Sequence, residues 1–485
     1  MLHKSIARLV VVVFLFLIAP SIVNATLYHK VLKGNISVTN PQLIDVNGDG
    51  KADLIGLGPE VWLSNGDGTF QPGQVFGSGG AGPVSNAVAD VDGDGRPDII
   101  VFNACEAPGN CANSIVGVLL GNGDGTFQAA VPYNAGPGGG GRVAVADANG
   151  DGKADIVFAG SHVGTLLGNG DGTFQPVQIS NVGMQASSLA MADVNKDGSA
   201  DLLMIDGGGA WVSLANGDGT FQAAQEPLPS SGLVSVAGAD ANGDGNPDLI
   251  VLYSCTNLYV CRSSLVAVLL GNGDGTFQRP AVYVTYGLFA SGMAVTDVNA
   301  DGTPDVLVVE CTIHVRECTG AGGIIKGAGR IRVLAGDGHG GFNFVERYSS
   351  GGISSFGEIA VGDFTGDGRP DVVATWGAFG MLIHTGRYPT SETLSSSLNP
   401  SVAGQPVTFT ATVTSGLGTP TGFVRFMNGV HCLGKVTLID GVATLTTDKL
   451  PVGTLPIIAL FEPDLFWEKS QATLTQVVNP PAGRN

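Results

Sequence analysis

Asp90-Val91-Asp92-Gly93-Asp94-Gly95-Arg96-Pro97-Asp98 is one of seven copies of a nine-residue pattern in this chain. The other copies start at Asp45, Asp147, Asp193, Asp240, Asp297 and Asp363. Every copy carries Asp at positions 1, 5 and 9 and Gly at position 6; position 3 is an acid, an amide or, once, a threonine. Hard divalent cations such as calcium take about six to eight oxygen ligands in a flexible cage. Alternate residues of a tight loop can turn their oxygens inward, and the glycine supplies the positive-φ bend that brings position 9 back. Asp, Asn and Gly are also ordinary turn residues, but turn chemistry alone does not require a carboxylate at positions 1, 5 and 9 in all seven copies.

The candidate metal ligands are therefore Asp45, Asn47, Asp49 and Asp53 in the first loop, and Asp90, Asp92, Asp94 and Asp98 in the second. The third and fourth loops offer Asp147, Asn149, Asp151 and Asp155, then Asp193, Asn195, Asp197 and Asp201. The fifth and sixth offer Asp240, Asn242, Asp244 and Asp248, then Asp297, Asn299, Asp301 and Asp305. The seventh offers Asp363, Thr365, Asp367 and Asp371. Lys196 replaces the usual Gly in the fourth loop and Thr365 the usual acid or amide in the seventh, so these sites are expected to bind more weakly. Up to seven structural calcium ions are expected.

Spacing between loops is 45, 57, 46, 47, 57 and 66 residues. A second motif, Asn-Gly-Asp-Gly-Thr-Phe, alternates with the first and ends at Phe70, Phe127, Phe174, Phe221 and Phe277; a degenerate version ends at Phe342. Short β-type runs lie between the motifs, as at 85–91, 98–102, 115–120 and 126–133. Four strands repeating every 40 to 50 residues or so are the signature of a β-propeller blade. The chain is predicted to be all-β: a seven-bladed β-propeller over 26–388, then an immunoglobulin-like sandwich over 389–479 and a frayed tail at 480–485. The seventh repeat lacks the Asn-Gly turn and a fourth strand, and Thr26–Val31 resembles Thr126–Val131. That N-terminal strand is expected to pair into the last blade and close the ring, leaving no exposed sheet edge.

The alternation of loops assigns two faces. Asp loops and Asn-Gly turns share one, while the Gly-rich blade connections, such as 134–142 and 286–292, share the other. Three close cysteine pairs (Cys105/Cys111, Cys255/Cys261 and Cys311/Cys318) fall in elongated loops on that second face, and three local disulfides are expected. Cys432 is left over and is expected to be a buried free thiol. Residues 1–25 read as a cleaved secretory signal, with Lys4 and Arg8, an apolar run 9–18 and Val23-Asn24-Ala25 at the cleavage point. A secreted, cell-surface or periplasmic location follows, with no membrane span after cleavage.

The formal net charge is −19, and the seven loops hold 22 Asp. Seven bound calcium ions would bring the balance to about −5. The acidity therefore belongs to metal sites, and without a basic stripe the chain is not expected to bind nucleic acid.

On these residues, with Phe76-Gly77 and Gly80-Ala81-Gly82-Pro83 ahead of the second loop, the chain resembles FG-GAP/VCBS repeat proteins. That family includes the seven-bladed head of integrin α subunits. The resemblance implies calcium in the loops and ligands on the opposite face. Ser401–Thr410, Pro420–Phe426 and Gly441–Thr444 resemble bacterial Ig-like repeats, whereas Phe461–Lys469 departs from their usual turn.

Rival readings make weaker contact with the residues. An EF-hand or dockerin needs an acid at position 12 and flanking helices, but position 12 is Gly56, Val101, Phe158, Met204, Val251, Val308 or Ala374. The seven His show no metal-ligand or triad spacing, and the Asn-Gly turns miss the register of a sialidase Asp box. No catalytic residues are assigned and no enzyme activity is expected. A lectin needs aromatic platforms: Trp62 and Trp211 read as core, while Tyr133, Tyr253, Tyr259, Tyr283 and Tyr286 lie near the second face. The expected role is adhesion or recognition of an extracellular protein or glycan on that face, with a carbohydrate-binding propeller as the alternative and a polysaccharide-active enzyme less favoured.

Overall fold

The computed structural model describes residues 28–481 apart from 35, 37, 139, 181, 183–185, 256–262, 312–328, 350–356, 377, 385–389, 416–418 and 464–466. The expected leader, Tyr259, Cys261, Cys318 and most of the expected tail lie outside these residues.

Among the described residues, seven antiparallel four-stranded sheets follow one another, then a three-stranded and a five-stranded sheet. Blade one comprises Gln42–Ile44, Asp53–Gly56, Glu60–Trp62 and Gln74–Val75; blade two comprises Ala81–Ala89, Asp98–Cys105, Ile115–Leu119 and Val131–Asn134. Each Asp loop joins the first and second strands of its blade, and each Asn-Gly turn joins the third and fourth. The first strands of successive blades adjoin in sequence, and that of blade seven meets that of blade one, so the ring is closed.

Closure uses the N-terminal strand. Blade seven is Glu358–Gly362, Asp371–Trp376 and Ala378–His384, with Tyr28–Gly34 paired antiparallel to the last of these as the fourth strand. Tyr28 is buried; its hydroxyl donates to the Pro370 carbonyl (3.1 Å), and its ring meets Tyr348 and His384 edge-on. Burial and the Asp371 carboxylate hold its phenol well above the ordinary range.

The core consists of apolar layers between neighbouring blades. Phe102 of blade two stacks on Phe158 of blade three at 5.2 Å. Leu54 and Trp62 of blade one pack with Phe364, Val373 and Met381 of blade seven. Fully burying one such large side chain contributes about 1.5–3 kcal/mol, so stability is spread around the ring. The second strands of blades one, three and four are buried along their whole length, as in Asp201–Ile205, whereas the fourth strand of blade two is largely exposed. The fourth strand of blade two begins later than predicted. Phe127 makes only an isolated bridge to Gly121 because its ring turns inward against Phe76 (5.3 Å).

In the C-terminal domain, Ser391–Ser396, Val407–Thr414 and Val442–Thr447 form one sheet. Ser401–Val402, Gln471–Asn479, Gly453–Pro463, Gly422–Asn428 and His431–Thr437 form the other. Val407, Phe409, Ala411 and Val413 alternate inward against Phe426, Phe461 and Trp467, as a half-buried strand requires. Cys432 corrects the sequence expectation: it is a free thiol, but exposed. It lies on an edge strand, and its neighbour Leu433 takes the inward position. Cys105 and Cys111 form the expected disulfide, and Cys255 is disulfide-bonded too.

Candidate functional site

The Asp loops are built alike. In the second, Asp90 Oδ1 accepts the Gly93 amide (2.7 Å) and Oδ2 accepts the Gly95 amide (2.8 Å). Gly95 reaches this place at φ 83°, a left-handed conformation that suits glycine. Burial alone would raise the Asp90 carboxyl, but the Gly95 and Gly93 amides outweigh it and hold it below the usual range. Lys196 (φ 60°) and Ala300 (φ 58°) occupy the fourth position of the fourth and sixth loops. An L side chain in that conformation costs about 1–2 kcal/mol. The sixth loop therefore carries the same strained position as the fourth, and the sequence reading did not single it out.

Position 9 has a second task. Asp98 is buried, and its Oδ2 accepts the Val91 amide (2.8 Å) while Oδ1 accepts the Gly121 amide (2.7 Å) at the head of the Asn-Gly turn. Asp53, Asp155, Asp201, Asp248 and Asp305 repeat both bonds, to Ser64, Gly168, Ala215, Gly271 and Gly336 respectively. Asp371 bonds instead to Thr365 and His384. In the first six blades this carboxylate joins the Asp loop to the turn between the third and fourth strands. Burial, then the acids at positions 5 and 1, raises Asp53, Asp201 and Asp305 to about 6; burial, then Asp92 and Asp90, does the same for Asp98, and burial and Asp367 raise Asp371 to about 7.

The sign of this shift yields a prediction. Below pH about 4 these carboxyls are protonated folded or unfolded. Between that pH and about 7 the unfolded chain ionises first, so rising pH removes stability. In EGTA the melting temperature should fall by several degrees from pH 4.5 to 7.5, and saturating calcium, which favours the ionised form, should flatten the slope. A pH-independent melt in EGTA would refute this.

Asp90, Asp92 and Asp98 bring carboxylate oxygens within 4.8 Å of one another, a spacing that fits one calcium ion with ligands at about 2.3–2.6 Å. In the other loops position 3 is an amide or threonine. Position 5 has a competing partner that sequence reasoning missed: Lys51 contacts Asp49 (2.9 Å), Arg96 contacts Asp94 (3.2 Å) and Lys153 contacts Asp151 (3.7 Å). Its signal is a basic residue at position 7.

At the other end of the ring, the first strands open into a polar mouth of about 250 Å³, lined among others by Ser85, Arg142, Ser188, Ser235, Ser291 and Glu358. The mouth was also missed, although a signal exists. Asn40, Ser85, Arg142, Ser188, Ser235, Gly292 and Glu358 each stand five residues before an Asp loop. Several of these groups tie blades together. The Ser85 and Ser188 hydroxyls accept the Val143 and Val236 amides of the next blade (both 3.2 Å). The Ser291 hydroxyl donates to the Gly357 carbonyl (2.8 Å), and Arg142 Nε donates to the Ser187 carbonyl (2.8 Å). Asn40 donates its amide to Glu358 and its side-chain N–H to Asn86.

Loop geometry, period and closure agree with one comparison in particular. Residues 45–101, 109–158, 147–204, 193–251, 256–308 and 322–374 match the FG-GAP-like repeat. The chain belongs to the FG-GAP-like repeat family. Residues 394–479 of this FG-GAP-like protein match the bacterial Ig-like domain (group 3). No curated protein sequence matches the chain. Among solved structures it is similar to that of an Agrocybe aegerita lectin described as recognising non-reducing terminal N-acetylglucosamine, at 25% identity over 65% of this chain and 81% of that one, with a TM-score of 0.46. It is also similar to the V. cholerae biofilm matrix protein Bap1, at 13% identity over 92% and 88% of the two chains, with a TM-score of 0.31. At these scores neither likeness bears on what the FG-GAP-like chain binds. No helix among the described residues is long and apolar enough to cross a membrane.

The aromatic candidates separate clearly. Trp62 is core and Trp211 partly buried. Tyr133 packs on Phe174, and Tyr283 packs on Phe342 while donating to the Gly340 carbonyl. Tyr253 is partly buried. Tyr286 is 58% exposed.

Proposed function

We propose that this FG-GAP-like protein is an exported, non-enzymatic recognition propeller whose Asp loops hold calcium structurally and whose opposite face takes an extracellular ligand in adhesion. The observation that carries this reading is the segregation of the molecule's two ends: Asp loops and Asn-Gly turns share one, and the polar mouth opens at the other. Positions 1, 3, 5 and 9 of each loop would supply the oxygens. A bound ion would neutralise carboxylates that repel one another by several kcal/mol per pair at an effective dielectric of about 20.

Two measurements test the proposal. Chelation by EGTA at pH 7.5 should lower the melting temperature by about 10 °C or more, and an unchanged melt would remove calcium from the account. A calcium-replete glycan array tests the ligand: hits that weaken in Arg142→Ala or in variants of the blade connections support glycan recognition on this face. Release of sugar from an immobilised polysaccharide would instead make the protein an enzyme.

A further inference from the structure

Where blade five passes into the first strand of blade six, two bulky residues lie in the left-handed region: Tyr286 (φ 62°) in the connection and Phe289 (φ 51°) in the strand Leu288–Thr296. Such strain persists only where the surroundings over-determine it, and it concentrates at functional sites. Here Arg332 Nη2 donates to the Tyr286 carbonyl (3.0 Å), the Ser264 amide donates to the Gly287 carbonyl (2.7 Å), and the Phe289 amide donates to the Cys255 carbonyl (3.1 Å). The Tyr286 ring is thereby held in solvent edge-on to Phe344, itself 43% exposed, with centroids 6.2 Å apart. The Arg332 guanidinium lies 5.4 Å from the Phe344 ring centre. Below, Arg332 is anchored by the buried Glu310 carboxylate, which also accepts the Thr285 hydroxyl (2.6 Å).

The charge around this aromatic pair is anomalous for so acidic a chain. Arg332 pairs directly across the sheet with Arg347, and like charges in that position destabilise a sheet. Arg330 lies two residues before Arg332 on the same strand face, and its buried Nε has no hydrogen-bond partner among the described residues. Arg347 is exposed and pairs with no described carboxylate. Among the described side chains, Glu310 offsets one of three guanidinium groups, leaving a local excess of positive charge beside two exposed rings. An anion would relieve the cross-strand repulsion, and a guanidinium fork matches a carboxylate with two parallel hydrogen bonds. Exposed aromatic rings offer an apolar face with a negative quadrupole, suited to the C–H face of a sugar ring. Both chemistries are met together by an acidic saccharide.

We infer that Tyr286, Phe344, Arg330 and Arg347 form a subsite for an acidic sugar residue at the outer edge of blades five and six, with Arg332 positioning the rings. This rests on reading the face opposite the Asp loops as the ligand face, and it places the subsite away from the central mouth.

The test is calorimetric titration of the calcium-loaded full chain with short oligogalacturonate and with a neutral oligogalactoside of equal length. Oligogalacturonate should bind, weaken with added salt and lose at least about tenfold affinity in Phe344→Ala and in Arg347→Gln, while the neutral sugar binds at least tenfold more weakly. Both substituted side chains are exposed, and unchanged melting temperatures would show that the variants fold. Loss in Arg142→Ala but not in Arg347→Gln would overturn the subsite and leave the ligand face standing. Equal binding of polyglutamate would overturn the saccharide assignment in favour of an acidic protein. Absence of oligogalacturonate binding would overturn the inference alone, since glycan-array hits lost in Arg142→Ala would still support the ligand face.

Discussion

Asp98→Ala is expected to destabilise the propeller by about 2–5 kcal/mol in EGTA as well as in calcium. The substitution strands two buried amides, Val91 and Gly121, that the carboxylate now accepts at 2.8 and 2.7 Å. Each unsatisfied buried donor costs about 1–3 kcal/mol. Asp94→Ala is the contrasting case. Asp94 is partly exposed, accepts the amide of its own loop residue Arg96 and contacts the Arg96 side chain. Its loss should cost less than about 1 kcal/mol in EGTA and appreciably more in calcium. Asp98→Asn should fall between, because one amide oxygen can still accept while its NH₂ group faces a donor. Thermal or urea unfolding of the three variants with and without calcium separates the roles. Equal stability of Asp98→Ala and wild type in EGTA would show that position 9 serves the ion alone.

Arg332→Met should cost about 3–5 kcal/mol, the usual penalty for leaving one member of a buried ion pair uncompensated. The Glu310 side chain is fully buried, and a Cβ at Gly287 would collide with its carboxylate, so Glu310 has no room to swing out to water. Part of the loss should return at low pH, where protonation removes the unpaired charge. A second substitution, Glu310→Leu, should recover most of it, because replacing a whole buried pair with apolar groups is often neutral or stabilising. If the single and double variants melt together, the pair does not couple. The double variant also isolates the binding role of Arg332: the fold is restored, but the Tyr286 carbonyl has lost its Arg332 donor and the aromatic pair its support.

Much of the architecture was legible because it is written in local, repeated chemistry. Seven Asp loops, six following turns and a missing last strand in the seventh repeat specify blade count and closure, and the 28–34 strand does pair into blade seven. Cys105 and Cys111 sit close enough in sequence for their bond to be read directly. Cys432 was misread because burial on an edge strand depends on which alternate residue, there Leu433, faces the opposing sheet.

The loops were recognised as oxygen-rich, but the division of labour within them was not. Position 9 bonds to an amide that is 23 residues away for Asp98 and 11 for Asp53, a distance set by how the blade's strands pair. The mouth leaves a mark along the chain only as seven equivalent positions, each five residues before an Asp loop, which belong to seven blades and meet only when the ring closes. Repetition along the chain is enough to specify the strands, the turns and the oxygen-rich loops, because each depends on contacts within a few residues. Strand pairing within a blade decided which acid is buried and why three arginines gather beside Phe344, and closure of the ring decided which polar groups converge at the mouth. Those outcomes depend on desolvation and charge between segments far apart in sequence, and only the folded chain brings them within reach.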